Sequence, residues 1–165
     1  MNIKFEQVIT EEQIKILADT ANNIWHEAYK EIVSPAQIDY MVEKFQSFNP
    51  LFEAINKNNY LYYLIKVDND VAGYTGLHEE DGKLFLSKLY ISKQYRGKKV
   101  ASKTFEFIEN LAKQKKLKSV WLTVKRTNKH AIEVYKHKGF VITRTQVADI
   151  GNGFVMNDFV FEKIL

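Results

Sequence analysis

The order of hydrophobic periods in this chain predicts a mixed α/β fold, α+β-like in its opening order, whose mostly antiparallel central sheet runs on into a βαβ unit. Three observations carry that prediction. Apolar residues recur at helical spacing up to about residue 55. Three aromatic and β-branched runs then follow between residues 60 and 91, the last two joined by an Asp-Gly hairpin signal. After them one long helical stripe separates two strands, the pattern of a parallel return across a helix. The 165 residues are 45% hydrophobic and 27% charged, which suits a single globular domain over 1–165.

In chain order, "IKFEQVI" alternates as a first strand. Thr10 and Gln13 in "TEEQ" have capping-box spacing, and Ile14, Leu17, Ala18, Ala21, Trp25 and Ala28 form the apolar stripe of the helix they open. "SPAQ" repeats the start signal, with Ser34 as cap and Pro35 at the first helical position. Ile38, Met41, Val42 and Phe45 give that second helix one apolar face, and Pro50 to Ile55 reads as a short third helix. "YLYYLIKV", "VAGYTGL" and "LFLSKLYI" read as strands of a meander, with turns at "DND" and "EEDGK". Val100, Thr104, Phe107, Ile108 and Leu111 space a long helix, and "SVWLTV" is the returning strand. Asn128 to Lys138 is a helix closed by Gly139. "FVITRTQV" and "FVMNDFVFEKI" are closing strands around "GNG".

The chain has no cysteine, which removes disulfides, thiolate metal sites and a cysteine nucleophile together. His26, His78, His130 and His137 have no metal-ligand spacing with carboxylates, so no metal is expected. "MNIKFEQVIT" lacks the apolar core of a signal peptide, and no run approaches the roughly 18 apolar residues of a membrane helix. The expectation is a cytoplasmic protein with no membrane partner.

The net charge of +4 conceals a partition. Residues 88–138 hold 15 Lys and Arg against 3 Asp and Glu, a balance of +12, and the remainder carries −8. The crowding peaks in "LYISKQYRGKKVASKTF", where Lys93, Arg96, Lys98, Lys99 and Lys103 surround a strand-to-helix junction. Like charges repel, so an anionic partner would account for them; chance clustering on solvated faces is the alternative. A helix N-terminus presents backbone N–H groups and a favourable dipole to an anion, and Gly97 lets the chain turn tightly beside it. The geometry suits a pyrophosphate, although an ordinary βα turn has the same outline. It is neither a P-loop nor a dinucleotide Gly-x-Gly-x-x-Gly.

"RGKKVA" resembles the acyl-CoA signature of the GCN5-related N-acetyltransferases (the GNAT superfamily), Arg/Gln-x-x-Gly-x-Gly/Ala. Arg96 and Ala101 match it, and Lys99 stands where that family usually has glycine. "NKHAIEVYKHKGF" is similar to a second family segment, with Asn128, Ala131, Tyr135, Gly139 and Phe140 in place. The two motifs cover about half the chain, and the order of elements fits nearly all of it. The resemblance implies a GNAT fold whose sheet splays between its fourth and fifth strands, with acetyl-CoA as cofactor. Its pantetheine would lie against Leu89, Tyr90 and Ile91. The amides of Arg96, Gly97, Lys98, Lys99, Val100, Ala101 and Ser102 would hold the pyrophosphate. Asn128 would contact the cofactor arm and Tyr135 would face the sulfur. The same residues also have plainer readings, Asn128 as a helix cap and Tyr135 as a half-buried helix aromatic.

The implied activity is N-acetyl transfer to a primary amine. The amine must lose a proton and the leaving thiolate must gain one; a free thiol has a pKa of about 8.5 and a tyrosine about 10, so Tyr135 is suited to act as general acid. A backbone N–H near Ile91 is placed to stabilise the oxyanion. Without cysteine, direct transfer in a ternary complex is expected rather than a cysteinyl acyl-enzyme. In this fold the acceptor enters opposite the cofactor, and the acidic part of the chain includes Glu27, Glu31, Glu79, Glu80, Asp149 and Asp158. "DIGNGFVMNDFVFEK" also looks similar to a bacterial subgroup that acetylates polyamines. The expected acceptor is therefore a small cationic amine, with Glu27, Glu31, His78, Glu79 and Asp149 as candidate contacts and His78 and Glu79 as a water-relayed base. Each acidic residue taken alone also reads as a solvated charge. Competing readings are a non-catalytic acyl-CoA-binding regulatory module, a protein or peptide amine as acceptor, and a nucleic-acid binder. The last lacks a recognisable RNA-binding motif in the basic segment, so no nucleic-acid partner is expected. Exposed terminal strands suit a homodimer.

Overall fold

A computed structural model describes residues 1–165. Its elements run β1 (Ile3–Gln7), α1 (Glu11–Tyr29), α2 (Pro35–Met41), α3 (Phe48–Asn56), β2 (Leu61–Val67), β3 (Asp70–Glu80), β4 (Lys83–Ile91), α4 (Val100–Gln114), β5 (Ser119–Lys125), α5 (Lys129–His137), β6 (Val141–Gly151) and β7 (Phe154–Ile164). The strands form one seven-stranded sheet in the order β1-β2-β3-β4-β5-β7-β6. Pairing is antiparallel for β1–β2, β2–β3, β5–β7 and β6–β7 and parallel for β4–β5, the mixed α/β order that the sequence predicts. No helix is long and apolar enough to cross a membrane.

Several boundaries differ from the sequence reading for local reasons. α2 passes directly into a π-helical turn at Val42–Gln46. α3 starts at Phe48, so Pro50 lies in its first turn, where a missing N–H costs no helical hydrogen bond. β3 continues past its apolar run to Glu80 because the hairpin turn is tight: Asp81 and Gly82 have φ of 51° and 76°, the two left-handed residues of a two-residue loop. β6 continues to Gly151 because its partner holds it in register from Val141↔Glu162 to Gly151↔Phe154. Most of its side chains are exposed, so hydrophobic alternation did not mark its length.

The chain divides into two compact units. The first comprises residues 1–78 and 88–107. Its α1 is opened by the expected capping box, Gln13 N–H donating to Thr10 Oγ1 and Thr10 N–H to Gln13 Oε1. Ile14, Leu17 and Ala21 of that helix are fully buried, as are Leu64, Ile65 and Tyr74 of the strands. The π-helical turn carries a polar group inward. Trp25 Nε1 donates to the Tyr74 hydroxyl at 2.6 Å, and that hydroxyl donates to Gln46 Oε1 at 2.8 Å. Each polar atom of this Trp25–Tyr74–Gln46 relay thereby gains a partner. β3 and β4 approach so closely at Gly73 that a Cβ there would collide with the Tyr90 carbonyl oxygen.

The second unit comprises residues 79–87 and 108–165. Ile108, Ala112, Val120, Leu122, Phe140 and Phe161 form its buried apolar centre. Polar ties close it: Glu162 accepts from Ser119 Oγ at 2.6 Å and from Lys83 Nζ at 3.0 Å, and Lys163 Nζ pairs with Glu109 at 3.0 Å.

Candidate active site

In the first unit the end of β4 is fixed by its side chains. Leu89, Ile91 and Tyr95 pack on Ile65, Val67, Ala72 and Val100, so the strand, the following turn and the start of α4 share one apolar cluster. Tyr90 joins a different group, its ring lying 5.5 Å from Trp25 and 5.6 Å from Tyr74, with its hydroxyl 2.6 Å from that of Tyr29. Ser92 N–H donates to Ala72 O, and a single 3₁₀ turn at Lys93–Tyr95 leads to Arg96. Gly97 and Lys99 then have φ of 75° and 63°, and Val100 begins α4. Two successive reversals of backbone hand aim the chain into the helix N-terminus, the geometry that gathers N–H groups around an anion.

The basic side chains of this turn are not equivalent. Arg96 Nε donates to the Ile91 carbonyl at 3.0 Å, and its guanidinium is 3.9 Å from Glu27. Lys98 Nζ lies 6.0 Å from the centre of the Tyr95 ring. Lys99 is exposed, Ala101 is half-buried and Ser102 is exposed. Lys88, which in the sequence is one charge among many, is pushed down to about 8 by burial.

In the second unit, β4 and β5 pair at Leu84↔Val120 and Phe85↔Trp121, and β4 continues to Ile91. After β5, Asn128 caps α5 by accepting from Ala131 N–H at 3.1 Å, the plainer role the sequence allowed it. Tyr135 is half-buried on α5, with ring centres 5.8 Å from Phe140 and 6.0 Å from Phe161.

The five acceptor candidates fall into different surroundings. Glu27 accepts from Lys93 N–H at 2.9 Å. Glu31 lies beyond the helix that carries Glu27: α1 ends at Tyr29, whose carbonyl takes N–H groups from both Ile32 and Val33. His78 Nε2 is 2.9 Å from the Asn58 carbonyl, and its ring stacks on Tyr60 at 4.3 Å. Glu79 is exposed on β3, and Asp149 Oδ1 accepts from Gly151 N–H at 2.8 Å, tightening the last hairpin. Glu27, Glu31 and His78 belong to the first unit, and Glu79 and Asp149 to the second.

A seven-stranded sheet with a parallel β4–β5 pair, and a basic left-handed turn leading from β4 into α4, have the architecture of the GNAT fold. The acetyltransferase (GNAT) family profile matches residues 21–140, and the chain belongs to that family. It is thus an acetyl-CoA-dependent N-acetyltransferase. Over 140 residues it is 26% identical to an uncharacterized N-acetyltransferase of Lactobacillus delbrueckii subsp. lactis, with 80% of each chain covered. Over 89 residues it is 33% identical to the spermine/spermidine N(1)-acetyltransferase of Bacillus subtilis (strain 168), a stretch covering 48% of this chain and 56% of that one. In fold it resembles the PaiA N-acetyltransferase of Thermoplasma acidophilum, solved in complex with coenzyme A, at a TM-score of 0.82 and 23% identity over the whole of both chains.

Proposed function

We propose that this chain transfers acetyl from acetyl-CoA directly to a primary amine of a small cationic, polyamine-like acceptor within a ternary complex. The observation that carries the reading is the junction after β4, where left-handed backbone at Gly97 and Lys99 leads straight into α4 beside exposed Lys98 and Lys99. An acyl thioester brings a carbon already open to attack by an amine; the chain has to hold it, shield it and move protons. The amides of Arg96 to Ser102 suit a pyrophosphate, because helix N-termini and alternating backbone hand favour anions. Leu89 and Ile91 pack their side chains on Ile65, Val67, Ala72 and Val100, and the backbone they anchor suits an extended ligand. The Ile91 amide is the donor for the developing oxyanion, and the Tyr135 phenol is the acid that protonates the departing sulfur.

Support for a polyamine acceptor comes from the Bacillus subtilis relative, which acts on spermine and spermidine. The deciding measurement is thiol release over an amine panel of spermidine, spermine, a simple primary monoamine and a peptide amine. Spermidine is expected to exceed the monoamine in kcat/KM by about tenfold, on the order of one buried charge contact. Equal turnover of the two discards the polyamine acceptor while leaving the acetyltransferase class intact.

A further inference from the structure

We propose that Asp158 is the anionic contact that receives a cationic nitrogen of the acceptor, an assignment that rests on the amine-acetylating reading above and narrows it to one carboxylate. Asp158 stands on β7 and is 6% exposed. The other wholly buried polar side chains, Gln46, Thr75, Thr104 and Ser119, all have partners. Thr75 donates to Lys88 O, Thr104 to Val100 O and Ser119 to Glu162, while Gln46 is bonded to Tyr74. Asp158 Oδ1 has none. A buried oxygen of a carboxylate without a donor is costly, and its usual explanation is a group that arrives from outside the chain.

The strand register says where that group would arrive. Asp158 is opposite Lys125, the last residue of β5, and opposite Gln146 of β6. Lys125 acts on Asp158 through its charge, without an ion pair between them. Along β7 the side chains alternate between the two faces. Phe161 meets the Tyr135 ring, and Phe159 lies under the Arg126 guanidinium at 5.2 Å, so those residues mark the face toward α5 and its entry. Asp158 is on the opposite face, with Val160 and Glu162. The helix residue Tyr135 thus packs against one face of β7, and Asp158 belongs to the other. An ammonium would reach Asp158 without displacing the phenol.

Burial holds the Asp158 carboxyl above its ordinary range. A carboxylate in that condition gains from either a proton or a cation. An ammonium supplies three N–H donors and a full positive charge at once, which a water molecule does not. Glu162, on the same face of the same strand, shows how the chain treats a carboxylate it uses structurally: it surrounds it with Ser119 and Lys83.

The test compares wild type with Asp158→Asn and Asp158→Ser. Thiol-release kinetics are run with spermidine and acetyl-CoA, and thermal unfolding is followed with and without spermidine. In both variants the KM for spermidine is expected to rise at least about tenfold, with the KM for acetyl-CoA within about twofold of wild type. The unfolding midpoint is expected to hold or rise, because a buried carboxylate oxygen without a donor is gone, and the shift that spermidine produces in wild type is expected to disappear. An unchanged spermidine KM in variants of an active enzyme overturns the proposal alone. A fall in midpoint in both variants also overturns it, since that is the mark of a structural carboxylate. A wild type that releases no thiol with any amine overturns the acceptor reading and this proposal together.

Discussion

Lys99 adopts a backbone conformation, φ 63°, in which an ordinary side chain crowds the neighbouring carbonyl. The other non-glycine residues with positive φ are Asn or Asp, except Lys116, which follows the end of α4. Glycine, usual at the position of Lys99 in the family, meets the same demand without strain. A lysine here costs about 1 kcal/mol and keeps one exposed ammonium beside the turn. Lys99→Gly is therefore expected to raise stability by about 1 kcal/mol in denaturant unfolding and to weaken coenzyme A binding a few-fold by calorimetry. Unchanged binding would show that the side chain does nothing for the phosphates. Lys88 sets up a pH dependence of stability. Its folded value of about 8 is below its ordinary value of 10.5, so below pH 8 it is charged in both states and burial opposes folding. That penalty fades as pH rises from about 8 to 10.5. Lys88→Met is expected to be more stable than wild type at pH 7, with the gain lost by about pH 10.5; melting curves across that range check it.

At the level of elements, the exit of β4 is clasped from α1. Glu27 takes the Lys93 N–H and faces Arg96, while Arg96 holds the Ile91 carbonyl, so one carboxylate organises three successive parts of the junction. Part of the crowded charge that suggested an anionic ligand is thus answered within the chain. Glu27→Ala removes both contacts, and Glu27→Gln keeps an acceptor for Lys93 N–H. The alanine variant is expected to lose about 1 kcal/mol of stability and to raise the KM for acetyl-CoA several-fold, with glutamine restoring most of both. If glutamine restores neither, the charge facing Arg96 is the part that matters.

For the whole molecule, legibility followed sequence distance. The strand, basic turn and helix from Leu89 to Ser102 could be read directly, because each signal in that junction acts on its near neighbours. The Asp-Gly hairpin and the caps at Thr10, Ser34 and Asn128 were legible for the same reason. What escaped was contact between distant positions. Glu27 and Lys93 are 66 residues apart, and the Tyr29 and Tyr90 hydroxyls 61. His78 Nε2 meets the Asn58 carbonyl, 20 residues earlier. Asp158 was one acidic residue near a glycine turn; its isolation depends on three strands in register, which no local pattern encodes.

The two tryptophans of the chain fall one in each unit. Trp25 is buried with its indole N–H on Tyr74, while Trp121 is stacked 4.1 Å from Phe85 at the last β4–β5 pair. The protein therefore carries a separate native fluorophore in each half. With Trp25→Phe or Trp121→Phe, the remaining emission reports one unit alone, so unfolding of either half, or its response to a ligand, is visible without an added label.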